Sequence, residues 1–442
     1  MATLARGATV GNRRSAAAFL VLLCAPPIAY AATKQPLEVL LGIAAVAAVV
    51  LCTLRIELAV LLLIATAPLE FAITIGSNSQ LTITKLAGAV CFGAFALNAL
   101  ATQRRLIFDL AHGLVFFLLA IALVSTLQAE DASRAILVTT RYTSFVALFF
   151  VVSQFVGDHR LQRGIAWTLS LGCCVTGMLA SWNFLSGATL SARLPQGDPN
   201  DIAFILATTL PFTVWLLRER GPRRVAALGM TVVIVISILL TLSRGALVGL
   251  GAGLVWYTLF ERRNSRALIA GAIAIALALF LVVHLGHQQI ATGLRAKEKV
   301  ASTNIQTRLE AWDAAARLAV DRPLLGVGPG NFQLHYLEET GRPPGTKGLA
   351  VAHDAYLDLA AELGIVAMVV FITYLVLVFV RLTAAVRRGL GAPGFAPACR
   401  VSLVIAVVAA LTLTEQYFAP FWLLGALATA MIHERDLVPT AE

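Results

Sequence analysis

The stretch AHDAYLDLAAELGIVAMVVFITYLVLVFV, residues 352–380, decides how the chain is read. Its first turns carry His353, Asp354, Asp358 and Glu362; from Leu363 onward no charge appears until Arg381. An uncharged apolar run of about 18–20 residues is what a helix needs to cross the hydrocarbon of a bilayer. The segment therefore reads as a helix that begins in water and ends in lipid, with a titratable cluster at the boundary.

Runs of the same kind recur along the 442 residues, which are 59% apolar and only 13% charged. Soluble domains hold roughly 45–50% apolar residues. The runs also lack the alternation of an outer-membrane barrel. The expected fold is all-α: a polytopic transmembrane helical bundle of 12–14 spans with one large, partly helical loop on its outer face. Spans are expected near 15–33, 36–54, 56–75, 81–101, 106–127, 137–156, 162–186, 200–217, 225–242, 245–260, 266–285, 363–380, 399–414 and 417–432. This divides the chain into N-terminal transmembrane helices (1–285), a loop (286–361) and C-terminal transmembrane helices (362–442), within one integral membrane domain.

The formal net charge of +10 does not point to nucleic acid here, because the basic residues sort by side. Arg6, Arg13 and Arg14, Arg104-Arg105, DHRLQR (158–163), RERGPRR (218–224), ERRNSR (261–266), Arg381, Arg387, Arg388 and Arg400 all fall on one side of the spans. Cytoplasmic links carry such an excess, so both termini are expected in the cytoplasm. Arg13-Arg14 followed by an apolar run and Ala29-Tyr30-Ala31 imitates a secretory signal. In so alanine-rich a chain we read it as a retained first helix. The six cysteines (Cys24, Cys52, Cys91, Cys173, Cys174 and Cys399) lie in or beside apolar runs, so neither a disulfide nor structural zinc is expected.

The loop holds eight Lys/Arg and eight Asp/Glu. Connections this long are functional or disordered, and this one reads as folded. NIQTRLEAWDAAARLAVDRP (304–323) spaces Leu309, Trp312, Ala316 and Ala319 as a helix face, pairs Asp313 with Arg317, and ends at Pro323. LLGVGPGNF, a glycine-rich turn, and RPPGTKG follow.

Candidate chemistry collects on the loop side. His353 can take a proton near neutral pH; Asp354, Asp358 and Glu362 follow at i, i+4 and i+8 on a neighbouring face. One reading is an interfacial histidine beside a solvated acidic face at a helix N-terminus; the other is a proton acceptor. Arg308, one turn from Trp312, is either a surface arginine stacked on tryptophan or a clamp for phosphate. Arg193 is the lone base of SARLPQGDPNDIAF (191–204), where Asp198-Pro199-Asn200 signals a capped helix start. Arg244, in TLSRGALVG (241–249), sits amid hydrocarbon, so it either snorkels to headgroups or faces a polar cavity. His284 and His287 form an H-x-x-H with no third ligand in view, and the glycines at 326–330 are followed by no GK[ST]. No metal and no cofactor are expected.

The order RLPQGDPN, LSRGA, TRLEAWDAA, P-x-x-G-x-G-x-G-x-F (Pro323 to Phe332) and H-x-x-Y-L-x-x-x-x-E-x-G (His353 to Gly364) resembles the bacterial O-antigen ligase family. That family sits in a superfamily with O-antigen polymerases and protein O-oligosaccharyltransferases. Asp354 stands where Asn is commoner and Ala367 where a second Gly is usual; the family is described with twelve spans. The resemblance implies metal-independent, inverting glycosyl transfer at the periplasmic face of a bacterial inner membrane. The donor would be undecaprenyl-pyrophosphate-linked O-antigen, and the acceptor a sugar hydroxyl of the lipid A core, in lipopolysaccharide biosynthesis. It assigns the general base to His353 and the pyrophosphate to Arg193, Arg308 and Arg244, with Asp354, Tyr356, Glu362 and Trp312 in support. The same motifs admit a polysaccharide polymerase or a protein O-oligosaccharyltransferase. A transporter of an anionic solute is the reading from a different class, but it calls for repeated halves or broken helices with central charges, and the spans read as almost free of charge.

Overall fold

The computed structural model describes residues 50–52, 54–70, 82–102, 106–155, 158–195, 197–261, 291–293, 295, 306–341, 351–414 and 418–434. The expected spans 15–33 and 266–285, most of 36–54, the His284/His287 pair and the RPPGTKG loop lie outside them. Among the described residues the fold is helical, without an extended strand.

Eight helices precede the loop: α1 (Ile56–Thr66), α2 (Ile83–Thr102), α3 (Leu110–Thr126), α4 (Ala132–Phe155), α5 (His159–Leu185), α6 (Pro199–Leu216), α7 (Pro222–Thr241) and α8 (Arg244–Phe260). Three follow it: α12 (Ile365–Arg388), α13 (Phe395–Ala409) and α14 (Ala419–Ile432). Between them lie α9 (306–321), α10 (Phe332–Glu339) and α11 (Ala355–Leu363). The spans expected from 56–75 to 245–260, and those after the loop, thus appear as separate helices. Of these, α4, α5, α7, α12 and Ile83–Leu100 of α2 are long and apolar enough to cross a membrane. Local signals set the starts: Asp158 caps α5 through the Arg160 amide (3.0 Å), and Asp198 caps α6 through that of Asn200 (2.8 Å).

Helix α6 is central, packed by α5, α7, α8 and α13, while α14 lies against α4 and α12. The basic links gather at one end. There Arg381 pairs with Asp109 (2.8 Å), Arg163 with Glu219 (3.2 Å), and Arg400 Nε donates to Glu261 (2.6 Å). The opposite end carries the α3–α4, α5–α6, α7–α8 and α13–α14 links and the folded loop. Backbone bonds join these pieces: Ala192 N to Leu240 O and Ala355 N to Ala410 O, both 2.9 Å.

Two expectations change in the loop. The buried stripe of α9 is Ala311, Ala314, Ala315, Leu318 and Ala319, while Leu309 is 55% exposed and Ala316 is exposed too. Small alanines let α9 pack closely on Val327, Phe332, Tyr336, Ala352 and Ala361, which form a core of their own. The opening stretch, moreover, is two helices and not one. It breaks at Gly364 (φ 90°), and an ideal Cβ there would lie 2.6 Å from the Pro323 carbonyl oxygen. The glycine-rich turn is the cause. Val327 N donates to Ala361 O and Gly328 N to Glu362 O, both at 2.9 Å. Two chains that touch backbone to backbone leave no room for a side chain, and Gly326 (φ 63°) lies directly on the Glu362 backbone. The turn is therefore a structural clasp on the end of α11.

Gly326→Ala combines an unfavourable left-handed φ with a backbone clash. It is expected to destabilise the folded protein by roughly 2–4 kcal/mol. Thermal unfolding in detergent, with Gly341→Ala as a comparison where an added Cβ meets open space, measures this.

Candidate active site

His353 precedes α11 instead of lying on it, with φ of 56°. A non-glycine residue in the left-handed region costs ~1–3 kcal/mol and persists only where its surroundings enforce it. Here Asp354 caps α11, its Oδ1 accepting from Tyr356 N and Leu357 N at 2.9 Å each. On the other side, Asp358 Oδ1 accepts from Ala352 N at 3.0 Å.

The acidic face of α11 is not solvated. Asp358 is completely buried and Glu362 nearly so. Glu362 Oε1 accepts from Phe332 N at 3.4 Å, which ties α11 to the start of α10. Burial and the neighbouring Asp358 push the Glu362 carboxyl well above its usual range, against the amides of Gly330 and Phe332 and the charge of Arg134. These carboxyls hold the loop together; they do not face water.

Four elements meet around His353. Arg308, on α9, is half-buried and reaches the Thr412 carbonyl in the α13–α14 link at 3.5 Å. Asp198 stands at the start of α6. Asn200, next on that turn, accepts the Ser243 hydroxyl at 2.7 Å, and this seats Arg244 at the head of α8. Burial, then the positive charge of Arg308, push the His353 imidazole down to about 4, with Asp198 pulling the other way. Arg308 is itself lowered by burial and by Arg244, against Asp198. At neutral pH the site thus holds a neutral imidazole among two guanidinium groups and one carboxylate.

The other expected residues are placed less centrally. Arg193 is exposed on the α5–α6 link, and its guanidinium has no hydrogen bond or ion pair among the described residues; only its carbonyl is engaged, by Asn183. Tyr356 donates to the Val407 carbonyl at 3.1 Å, joining α11 to α13. Trp312 packs at the edge of the loop core, its indole Nε1 buried without a hydrogen bond among the described residues.

Two features escaped the sequence reading. Asp198 was legible as a cap, but a cap's charge also reaches sideways, and here it serves Arg308 and His353. The spans are also less bare than expected. On α4, Arg141 lies within electrostatic range of Glu70, Lys85 and Asp201, and its Nε is buried without a hydrogen bond among the described residues. A charge inside a membrane bundle faces its interior, and single arginines in apolar helices carry no spacing signal.

Fold and site together define a multi-pass helical membrane protein with a histidine–arginine cluster at one end of its bundle. The sequence profile described as O-Antigen ligase matches residues 229–372, which supports membership in the O-antigen ligase family. The matched region contains Arg244, Arg308 and His353 but not Arg193. No curated protein matches the chain. The family comprises glycosyltransferase-like ligases and polymerases.

Asp354 acts as a cap, so Asp354→Asn, which caps equally well, should leave both stability and activity unchanged. Asp354→Ala should cost about 1 kcal/mol of stability. Thermal melts of the two variants decide between capping and any direct role toward His353.

Proposed function

We propose that the protein is an O-antigen ligase of the bacterial inner membrane, with its site facing the periplasm and both termini in the cytoplasm. It transfers O-antigen polysaccharide from undecaprenyl pyrophosphate to a sugar hydroxyl of the lipid A core. The observation that carries this reading is the left-handed His353 set near Arg308 and Asp198, with Arg244 acting on Arg308, at the loop end of the bundle. The positive-inside bias of the opposite end supports the orientation.

In this reaction the acceptor oxygen bonds to the anomeric carbon as the carbon–oxygen bond to pyrophosphate breaks. His353 takes the acceptor proton. The bonding electrons leave on pyrophosphate, where Arg308 and Arg244 neutralise the growing charge and Arg193 supplies an outer contact. Attack from the side opposite the leaving group inverts the anomeric centre. A positioned base contributes about 10²–10⁴-fold. Each charged hydrogen bond to phosphate adds about 1.5–3 kcal/mol of stabilisation.

His353→Ala should reduce transfer by about 10²–10⁴-fold and leave cells with uncapped lipopolysaccharide. Full capping at normal protein levels removes His353 from the role. Arg308→Ala should weaken donor use more than Arg193→Ala, as read from donor KM and kcat in lipid.

The pH profile carries a sign. A base acts when neutral, so activity falls as pH drops through the His353 pKa. In the free protein that limb, read in kcat/KM, lies near pH 4. Bound pyrophosphate adds negative charge that favours imidazolium, so the limb in kcat should lie at higher pH. Arg308→Ala removes a charge that lowers the imidazole and should move the kcat/KM limb upward.

A further inference from the structure

The turn that presents His353 is held by a carboxylate outside the H-x-x-Y-L-x-x-x-x-E-x-G pattern. Asp358 lies in the first turn of α11, and both it and Ala352 are completely buried. Asp354 reaches only forward, to the amides of Tyr356 and Leu357 in its own helix. Asp358 alone reaches back past His353, taking the Ala352 amide at 3.0 Å. Ala355, just beyond, is tied to the Ala410 carbonyl at 2.9 Å. Among the described residues, His353 is therefore enclosed by a short ring of chain closed by the Asp358–Ala352 hydrogen bond, with Ala355 anchored just beyond it. Its left-handed φ is what such a closure demands. Burying a carboxylate is costly unless it is well bonded, and the Ala352 amide, without Asp358, becomes a buried donor with its acceptor removed.

We infer that Asp358 is a positioning residue: by holding the Ala352 amide it closes the turn around His353 and fixes the direction in which the imidazole leaves the backbone. The inference rests on the reading of His353 as the base. Asp358 does not touch substrate; it acts through the geometry of its neighbour, where an error of about 1 Å costs about a hundredfold in rate.

The test uses the full chain in lipid. Asp358→Asn keeps a side-chain oxygen to accept the Ala352 amide, and Asp358→Ala removes it. Two quantities are measured per folded molecule: single-turnover transfer from a polyprenyl-pyrophosphate glycan to lipid A core, and the rate at which diethyl pyrocarbonate modifies His353, followed by mass spectrometry. Asp358→Asn should stay within about threefold of wild type in both. Asp358→Ala should lower kcat by about tenfold to a hundredfold, with donor KM within about twofold, and should change the His353 modification rate. If Asp358→Ala does not fold, Asp358→Ser replaces it, since a serine hydroxyl is too short to reach Ala352. The inference is overturned by an oxygen-lacking or shortened variant with wild-type kcat and modification rate, or by an Asn variant as impaired as the Ala variant. A fully active His353→Ala protein would remove the base reading alone, because the modification rate still reports whether Asp358 sets the position of His353.

Discussion

The seam between the glycine-rich turn and the end of α11 is the constraint on which the rest of the site depends. Two amides, of Val327 and Gly328, bond to the carbonyls of Ala361 and Glu362, so backbone meets backbone with no side chain between. The Ser125 hydroxyl adds a bond to the Leu325 carbonyl at 2.6 Å. Asn331 exchanges bonds with the Asp131 backbone at 2.8 and 3.3 Å. The loop is thereby pinned to the α3–α4 link, and α11 cannot tilt without breaking the seam. Since His353 leads directly into α11, its position is inherited from contacts made at the far end of that helix.

The two ends of the bundle are built on different principles. At the basic end, the buried charges are paired: Asp109 takes Arg381 and His433, and Glu261 takes Arg400. At the loop end, Arg308 and His353 both feel the carboxylate of Asp198, and Arg244 adds a second positive charge beside Arg308. Paired charges suit a closed structural surface, whereas an excess of guanidinium groups beside a neutral histidine is an electrostatic imbalance that an anion relieves.

The sequence made the bundle legible because a membrane span is a composition signal: eighteen uncharged residues need no tertiary partner to be recognised. Caps such as Asp198 and stops such as Pro323 were legible for the same local reason. What escaped depended on contacts distant along the chain. The apolar stripe of α9 was misplaced because alanines pack as well as leucines when backbones approach closely, so Leu309 was left outside. Asp358 and Glu362 looked solvated because their spacing reveals a shared face but not what covers it, and the cover comes from residues some thirty positions earlier. The break at Gly364 was hidden because glycine within an apolar run signals a close approach only once the approaching chain is known. Of the candidate site, His353, Arg308 and Arg244 could be singled out from the sequence, while the partnership of Asp198 and the burial around the histidine could not.

Under the proposed function, that burial bears on how a membrane transferase would avoid premature chemistry. An imidazole held near 4 by burial and by Arg308 is a weak base while the donor is absent. In the proposed reaction, pyrophosphate entering beside Arg308 would offset the part of the depression that its charge adds to that of burial, and the same event would deliver the leaving group. On that reading, base strength and donor occupancy would be coupled through the Arg308 guanidinium, with no moving part required. A site with a fully exposed histidine would be a stronger base at rest but would lose this coupling, because solvent screens the field of a nearby arginine. The half-buried setting of both residues is what lets one charge inform the other.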